Sequence, residues 1–414
     1  MKILFLHQNF PGQFKHLAPA LVRKGHQVVA LTSRVEKAQK WQGVNMVPYG
    51  WAEPADQKHH PWLTNLNGAL HRGATVFKAA HGLAQQGYLP DVIIAHSGWG
   101  EALFVQDVWP NARLGVFSEF HYMAEGADIG FDPEFVLTNA FGEVARMRMR
   151  NISMRLQLEQ ADMALCPTDW QASTHPAGLR EKITVVHDGI DTAQARPNPG
   201  ARVTLNGVTL SRADEVITFV NRNLEPYRGF HIFMRGLGDL LRRRPEARIV
   251  IVGSDGVSYG TAPKGGGTWK DRMIAEVRSG ISDADWARVM FVGKVPYGDF
   301  LSLLQVSRVH LYLTYPFVLS WSLMEAMACE AAIVASATQP VQEVIDDGET
   351  GLLFGFFDAK AMVDQVERLC LDADLRAHLG RNARARVLER YDLQTICLPR
   401  QFQWVSDLAG VSVG

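Results

Sequence analysis

The stretch HLYLTYPFVLSWSLMEAMACEAAIVAS, residues 310–336, holds two short apolar runs on either side of a longer segment. The first run has the pattern of a buried strand that ends at Pro316, and AAIVAS repeats that pattern after the longer segment. Between the runs, Ser320–Glu330 is predicted to form a helix. The order strand, helix, strand is typical of a parallel sheet covered by helices.

The same alternation extends along the whole chain. Buried strands are predicted at KILFLH, HQVVALTS, DVIIAHS, LGVFSEF, MALCPT and KITVVHDG, and then at EVITFVNRN, ARIVIVGSDG, RVMFVGKV, HLYLTYP, AAIVASAT and GLLFG. Helical patterns or long loops separate these runs. The sequence therefore predicts an α/β protein with doubly wound parallel sheets.

The chain has 414 residues, which is long enough for two domains with separate cores. Its texture changes at RPNPGARVTLNGVTL, where Asn206-Gly207 is a strong hairpin signal. We predict an N-terminal domain at 1–196 and a C-terminal domain at 197–390, with a hairpin linker at about 197–214. A final helix within 391–414 is expected to pack back on the N-terminal domain.

Composition restricts the partners and the location. A net charge of -1 gives no argument for a nucleic-acid partner, and four cysteines without a CxxC pair indicate reduced core residues. The apolar start of MKILFLHQNF is too short for a signal peptide. No run reaches the roughly 20 apolar residues of a membrane span. We expect a soluble, cytoplasmic protein that can still contact the inner face of a membrane.

Two arginines follow the first predicted strand of the second domain. Arg222 lies at the end of the predicted strand in EVITFVNRN, and Arg228 precedes Gly229 and a predicted helix. Both would lie at the carboxyl edge of the sheet, where the guanidinium fork suits a diphosphate. The alternative is a pair of solvated loop arginines, and the pattern leaves the two interpretations even.

Glu325 lies in the middle of a largely apolar predicted helix, where it is the only carboxylate before the final residue Glu330. It lies three residues after Ser322, which is the spacing of a capping box, and the pattern alone favours this structural interpretation. The other interpretation is a binding site. Two DxD triplets, at 283–285 and 372–374, could hold a metal-bound diphosphate but are better explained as helix starts.

Several motifs, taken in order, resemble one enzyme family over nearly the whole chain. They are PGQF (11–14), HDGIDT (187–192), NRNLEPYRG (221–229), VGSDG (252–256), FVGKV (291–295), LMEAMACEAAIVAS (323–336) and EVIDDGETGLLF (343–354). Together they resemble the family-4 retaining glycosyltransferases of the GT-B fold. The resemblance implies two Rossmann-like domains that face each other across a cleft.

The resemblance also implies a reaction. A nucleotide-diphosphate sugar, UDP- or GDP-linked, would be held by the second domain, and a glycan or lipid-linked acceptor by the first. Arg222 and Arg228 would neutralise the diphosphate, and Glu325 would bind the ribose. Transfer would retain the anomeric configuration, with no metal and no cofactor. His121 is the nearest match to a histidine that lies beside the reacting sugar in the family, although Phe120, Glu119 or Glu125 could serve there instead.

Other site residues follow from the matched motifs. On the acceptor side they are His96, Trp99 and Glu119, and on the donor side Gly12, Gln13, Gly253, Asp255, Lys294, Val295, Phe317, Leu319, Ser320 and Trp321.

Phe317 departs from the family pattern, because a glutamate usually stands there and contacts the donor sugar. The departure leaves other functions open. One is a catalytically silent partner protein with this fold, and the others are a nucleotide-sugar epimerase and a phosphorylase.

Overall fold

The computed structural model describes residues 1–51, 59–135 and 140–413. The chain divides into two compact units. The first unit contains Met1–Gly189 together with Leu393–Gly414, and the second contains Ile190–Asp392. Each unit has its own mainly parallel sheet with helices between successive strands, which confirms the α/β class and the two Rossmann-like sheets.

The first unit is built on an eight-stranded sheet in the order β3-β4-β2-β1-β5-β6-β7-β8. Only β3 and β4 pair antiparallel among its described strands. The central strands are buried along their length, which explains their continuous apolar sequences. The strands are β1 Lys2–Leu6, β2 Gln27–Thr32, β3 Gln39–Trp41, β4 Val44–Pro48, β5 Val92–His96, β6 Arg113–Phe117, β7 Met163–Cys166 and β8 Ile183–Val185. The helices are α1 Leu17–Arg23, α2 Thr64–Gln85, α3 Val105–Val108, α4 Ala140–Gln160, α5 Asp169–Ser173 and α6 Ala177–Arg180.

The second unit contains a six-stranded parallel sheet in the order β13-β12-β11-β14-β15-β16 and a two-stranded hairpin. Its strands are β9 Arg202–Leu205, β10 Val208–Ser211, β11 Val216–Asn223, β12 Arg248–Ser254, β13 Val289–Gly293, β14 Val309–Tyr312, β15 Ile333–Ser336 and β16 Leu352–Phe354. Its helices are α7 Phe230–Arg243, α8 Trp269–Val277, α9 Asp283–Trp286, α10 Tyr297–Val306, α11 Trp321–Ala328, α12 Gln339–Gln342, α13 Ala359–Leu371 and α14 Ala373–Arg390.

The β9–β10 hairpin forms where Asn206-Gly207 predicts it. Both turn residues have left-handed backbones, with φ of 49° and 79°, as a two-residue hairpin turn requires. Alternate strand residues, including Val203 and Leu210, are buried in the core of the second unit. The hairpin is thus part of that unit. The units divide at Gly189–Ile190, before the expected boundary at 196–197, because the chain already pairs with Asp392 at Ile190.

The last helix, α15 Leu398–Ala409, packs in the core of the first unit. Trp404 and Leu408 cover β6 at Gly115, where a Cβ atom would lie 2.4 Å from the Trp404 ring. Glycine at this position therefore allows the indole to approach the strand backbone. None of the helices in the described ranges is long and apolar enough to cross a membrane.

We expect the Trp404→Ala variant to loosen the first unit while leaving the second intact. The indole is almost fully buried, and removing such a side chain costs about 3–5 kcal/mol. Amide hydrogen exchange would show faster exchange in β6 and unchanged exchange in β14. The exposed Val411, changed to Ala, is the control and should alter neither strand. Unchanged protection of β6 in Trp404→Ala would contradict this role of α15.

Candidate active site

The switch point of the second unit lies between β11 and β14, where the strand order reverses. Open α/β sheets bind ligands at the carboxyl ends of the strands beside such a point. Arg228 follows β11 and Thr314 follows β14, and the Arg228 Nη1 atom donates a hydrogen bond of 2.7 Å to the Thr314 Oγ1 atom. This contact places a guanidinium at the position where the topology predicts a ligand.

Arg228 is a buried cation with neutral partners. Arg228 is only 5% exposed. Its guanidinium donates hydrogen bonds to the hydroxyls of Thr314 and Tyr312. Among the described residues no carboxylate forms an ion pair with it. Burying a charge without a partner costs several kcal/mol, and removing one partner of a buried ion pair costs roughly 3–5 kcal/mol. An anion beside this guanidinium would therefore be stabilised.

The hydroxyl of Tyr312 joins Arg228 to the start of helix α11. It accepts a hydrogen bond of 3.4 Å from Arg228 Nη1 and one of 2.9 Å from the backbone amide of Ser320. Ser320 is the N-cap of α11, and its hydroxyl accepts from the amide of Ser322. The positive end of the helix dipole thus lies beside the guanidinium, and both favour negative charge.

Glu325 has a partner that its sequence context did not reveal. It is 7% exposed, and its Oε1 atom accepts a hydrogen bond of 2.8 Å from the hydroxyl of Tyr297, the first residue of α10. Burial and the charge of Glu325 raise the pKa of Tyr297, so the phenol stays protonated and donates. The predicted capping box is wrong, because the N-cap is Ser320 rather than Ser322.

Phe317 lies in an aromatic cluster instead of offering a carboxylate. It is 4% exposed, and its ring centroid is 5.0 Å from that of Tyr259 and 5.7 Å from that of Tyr227. Tyr259 in turn lies over Arg228, with 5.1 Å between the guanidinium carbon and the ring centroid. The aromatic residue at 317 is thus an ordered part of the same sheet edge.

The two predicted clamp arginines have different environments. Arg222 is exposed near the end of β11, whereas Arg228 is buried. Asp255, predicted on the donor side, forms an ion pair of 2.6 Å with Lys270. The remaining predicted donor residues of this unit lie in β12, directly after β13 or around the start of α11: Gly253, Lys294, Val295, Leu319, Ser320 and Trp321.

The first unit has its switch point between β1 and β5. His7 follows β1 and His96 ends β5, with ring centroids 5.3 Å apart. Glu119 follows the neighbouring strand β6, and Gln13 lies in the turn after β1. We call His7, Gln13, His96 and Glu119 the β1–β5 cluster.

Gln13 links two members of this cluster. Its Oε1 atom is 2.9 Å from His7 Nε2, and its Nε2 atom donates a hydrogen bond of 3.1 Å to Glu119. Gly12 makes room for this arrangement, because a Cβ atom there would lie 2.3 Å from His7 Nε2. The predicted turn residues Gly12 and Gln13 therefore build the base of a site in the first unit.

Both histidines of the cluster are held neutral in one tautomer. The backbone amides of Asn9 and Gly98 donate to the Nδ1 atoms of His7 and His96, which leaves the proton on Nε2. Burial lowers the pKa of His7 to about 4 and that of His96 well below its usual value. His96 Nε2 is 3.9 Å from Glu119 Oε2. Because His96 is neutral at pH 7, the two residues do not form an ion pair.

Trp99 is the remaining residue of the predicted acceptor side. Trp99 stacks on His96, with ring centroids 4.3 Å apart. His121, predicted as the catalytic histidine, contacts His175 at 5.8 Å between ring centroids, and its amide donates to Thr174. No contact links His121 to the β1–β5 cluster among the described side chains. His7, which the sequence analysis omitted, occupies the cluster, and its place directly after β1 was the signal.

Two family models match this chain. The model described as Glycosyl transferase family 4 group matches residues 24–195, and the one described as Glycosyl transferases group 1 matches residues 206–386. The two models match successive parts of the chain. Together they cover it except for residues 1–23, 196–205 and 387–414.

Curated relatives carry one recurring name. The chain is 28% identical over 236 residues to the D-inositol 3-phosphate glycosyltransferase of Acidothermus cellulolyticus, which is 56% of this chain and 47% of that protein. It is 28% identical over 250 residues to the protein of that name from Mycobacterium leprae, with coverage of 59% and 53%. The chain thus spans about half the length of the curated relatives it matches.

Solved structures match over nearly the full length. A sucrose-phosphate synthase from Thermosynechococcus elongatus has a TM-score of 0.74 at 18% identity and covers 99% of this chain and 100% of its own. Anabaena Alr3699/HepE in complex with UDP-glucose has a TM-score of 0.65 at 16% identity, with coverage of 98% and 100%. At these identities the structures establish the fold, which is GT-B. With both family models matching in sequence order on this fold, the chain belongs to the group 1 glycosyltransferases of family 4.

Proposed function

We propose that the chain is a retaining, metal-independent glycosyltransferase that uses a nucleoside-diphosphate sugar as donor. In this proposal the switch point of the second unit binds the nucleotide. The β1–β5 cluster binds a hydroxyl of the acceptor, which is a glycan or a lipid-linked sugar. The protein acts in the cytoplasm, where such donors are found, and can contact the inner face of a membrane.

The observation that carries the proposal is the buried guanidinium of Arg228 beside the start of α11. A diphosphate would supply the negative charge that this guanidinium lacks, and the backbone amides at the helix start would add hydrogen bonds. These groups provide the positive charge that a metal ion supplies in other transferases. A silent partner protein would gain nothing from an unpaired buried cation, which disfavours that alternative.

The reaction we propose for this arrangement is a transfer on one face of the sugar. The acceptor oxygen forms a bond to the anomeric carbon as the bond from that carbon to the phosphate oxygen breaks. The leaving phosphate takes the acceptor proton on the same face of the sugar, which retains the configuration. The protein contributes position and charge stabilisation rather than a covalent nucleophile.

On the acceptor side, Glu119 is proposed to accept a hydrogen bond from the incoming hydroxyl. Gln13 holds its carboxylate at 3.1 Å, and His96 remains neutral nearby because burial lowers its pKa. A neutral neighbour forms no ion pair with the carboxylate, whose oxygens are strong hydrogen-bond acceptors when ionised. His96 and Trp99 would form the wall beside it.

The relatives guide the choice of donor for tests. Anabaena Alr3699/HepE has been solved with UDP and with UDP-glucose, so UDP-sugars are the first donors to examine, followed by GDP-sugars. A retained anomeric configuration would be read by NMR of the product formed in the presence of EDTA. Conversion of the donor sugar without acceptor would indicate an epimerase instead, and a requirement for inorganic phosphate would indicate a phosphorylase.

We expect Arg228→Met to weaken the binding of UDP or GDP by about 30-fold or more, because the diphosphate loses its buried cationic partner. Isothermal calorimetry measures this directly, and circular dichroism checks that the variant is folded. Arg248→Met is the matched control, since Arg248 is exposed at the opposite, amino end of β12. It should bind nucleotide like the unmodified chain. Failure of that chain to bind either nucleotide would overturn the proposed function.

We expect Glu325→Gln to abolish recognition of the ribose hydroxyls. An amide oxygen can still accept from Tyr297, but the charge that strengthens hydrogen bonds from ribose is lost. The unmodified chain should bind UDP about tenfold or more tightly than its 2′,3′-dideoxy analogue. In Glu325→Gln this ratio should fall towards one. A ratio unchanged in the variant would show that Glu325 has only a structural role.

A further inference from the structure

The loop at 255–268, between β12 and α8, is tied to the segment that carries Arg228. The carboxylate of Glu225 is fully buried and accepts hydrogen bonds from three consecutive backbone amides of this loop. The distances are 3.0 Å from Ser258, 3.3 Å from Tyr259 and 3.0 Å from Gly260. A carboxylate bound by three amides is a strong, directional anchor. Glu225 therefore fixes the position of the Tyr259 backbone.

The anchored loop places Tyr259 between a cation and an aromatic ring. Its ring lies 5.1 Å from the guanidinium carbon of Arg228 and 5.0 Å from the Phe317 ring centroid. Tyr227 is 6.3 Å from Tyr259 and perpendicular to Phe317. We call Tyr227, Tyr259 and Phe317 the aromatic wall. It borders the proposed diphosphate site.

The wall has the composition of a surface that contacts a ligand. Within the wall Phe317 is buried, whereas Tyr227 and Tyr259 are only partly buried. Tyrosine combines a large apolar face with a polar tip, a pairing that suits ligands which are apolar on one side and polar at the edge. A pyranose ring is such a ligand, because its C–H face is apolar and its hydroxyls point outward.

We propose that the aromatic wall binds the sugar of the donor, and that Tyr259, positioned by Glu225, is the residue that contacts it. The inference rests on the proposed function, since it is the diphosphate on Arg228 that brings the sugar to the wall. The wall itself carries no charged side chain. It therefore selects a neutral sugar that presents an unsubstituted C–H face.

The test separates binding of the nucleotide from binding of the sugar. Dissociation constants are measured by calorimetry for UDP, UDP-glucose, GDP and GDP-mannose. In the unmodified chain the sugar should tighten binding of at least one nucleotide. In Tyr259→Ala this advantage should fall by about tenfold while the affinity for the bare nucleotide changes little. Tyr259→Phe keeps the ring and should restore most of the advantage.

Glu225→Gln tests the positioning role. An amide group would point a donor at the backbone amides, so the sugar advantage should fall as in Tyr259→Ala. Hydrogen exchange at Ser258–Gly260 should rise at the same time. Glu246→Gln, the same change at an exposed carboxylate between α7 and β12, is the control and should leave the sugar advantage unchanged.

Three results would overturn the inference while leaving the proposed function standing. The first is a sugar advantage that persists in Tyr259→Ala. The second is an equal loss of affinity for the nucleotide and for the nucleotide sugar in that variant. The third is an unmodified chain that binds UDP or GDP but binds UDP-glucose and GDP-mannose no more tightly. Absence of all nucleotide binding would instead overturn the proposed function itself.

Discussion

The unneutralised charge of Arg228 is the constraint on which the second unit's site depends. Glu225 lies three residues earlier and could have paired with it, yet its carboxylate is occupied by three backbone amides of the loop at 255–268. It acts on Arg228 only through a longer-range charge interaction. One short turn therefore contains a carboxylate used for loop anchoring and a guanidinium left with hydroxyl partners. Against the effect of burial, nearby Tyr312, Tyr259 and Glu225 favour the charged form of Arg228 and raise its pKa, and an anion would stabilise the buried charge further.

Much of the fold could be predicted because buried parallel strands have continuous apolar sequences. The strands around both switch points, and the Asn206-Gly207 turn, follow directly from local pattern. The β3–β4 hairpin was missed for the opposite reason. Gln39 and Lys40 are polar and exposed at the sheet edge, and a strand of this length has no periodicity to detect.

The position of a candidate residue relative to a strand could be predicted from the sequence. Its contacts with residues on other helices could not. Arg228 could be placed at the proposed site because it follows a strand of a parallel sheet, and open α/β sheets bind ligands at the carboxyl ends of their strands. The partner of Glu325, Tyr297, lies on another helix, so no local pattern reveals it. The capping box failed because two serines near the start of α11 compete as N-cap, and Ser320 is the one whose hydroxyl accepts the amide of Ser322. Local spacing cannot decide between them.

The two units present opposite chemistry at equivalent topological positions. At its switch point the second unit has a buried guanidinium that contacts two hydroxyls and the Tyr259 ring, an environment that suits a diphosphate. The first unit has a carboxylate, Glu119, bound by the amide of Gln13 and near two histidines that burial keeps neutral. Were His96 protonated, it would neutralise Glu119 and weaken it as an acceptor for a hydroxyl. The depressed histidine pKa values thus keep His7 and His96 from forming ion pairs with Glu119, just as the three loop amides keep Glu225 from pairing with Arg228.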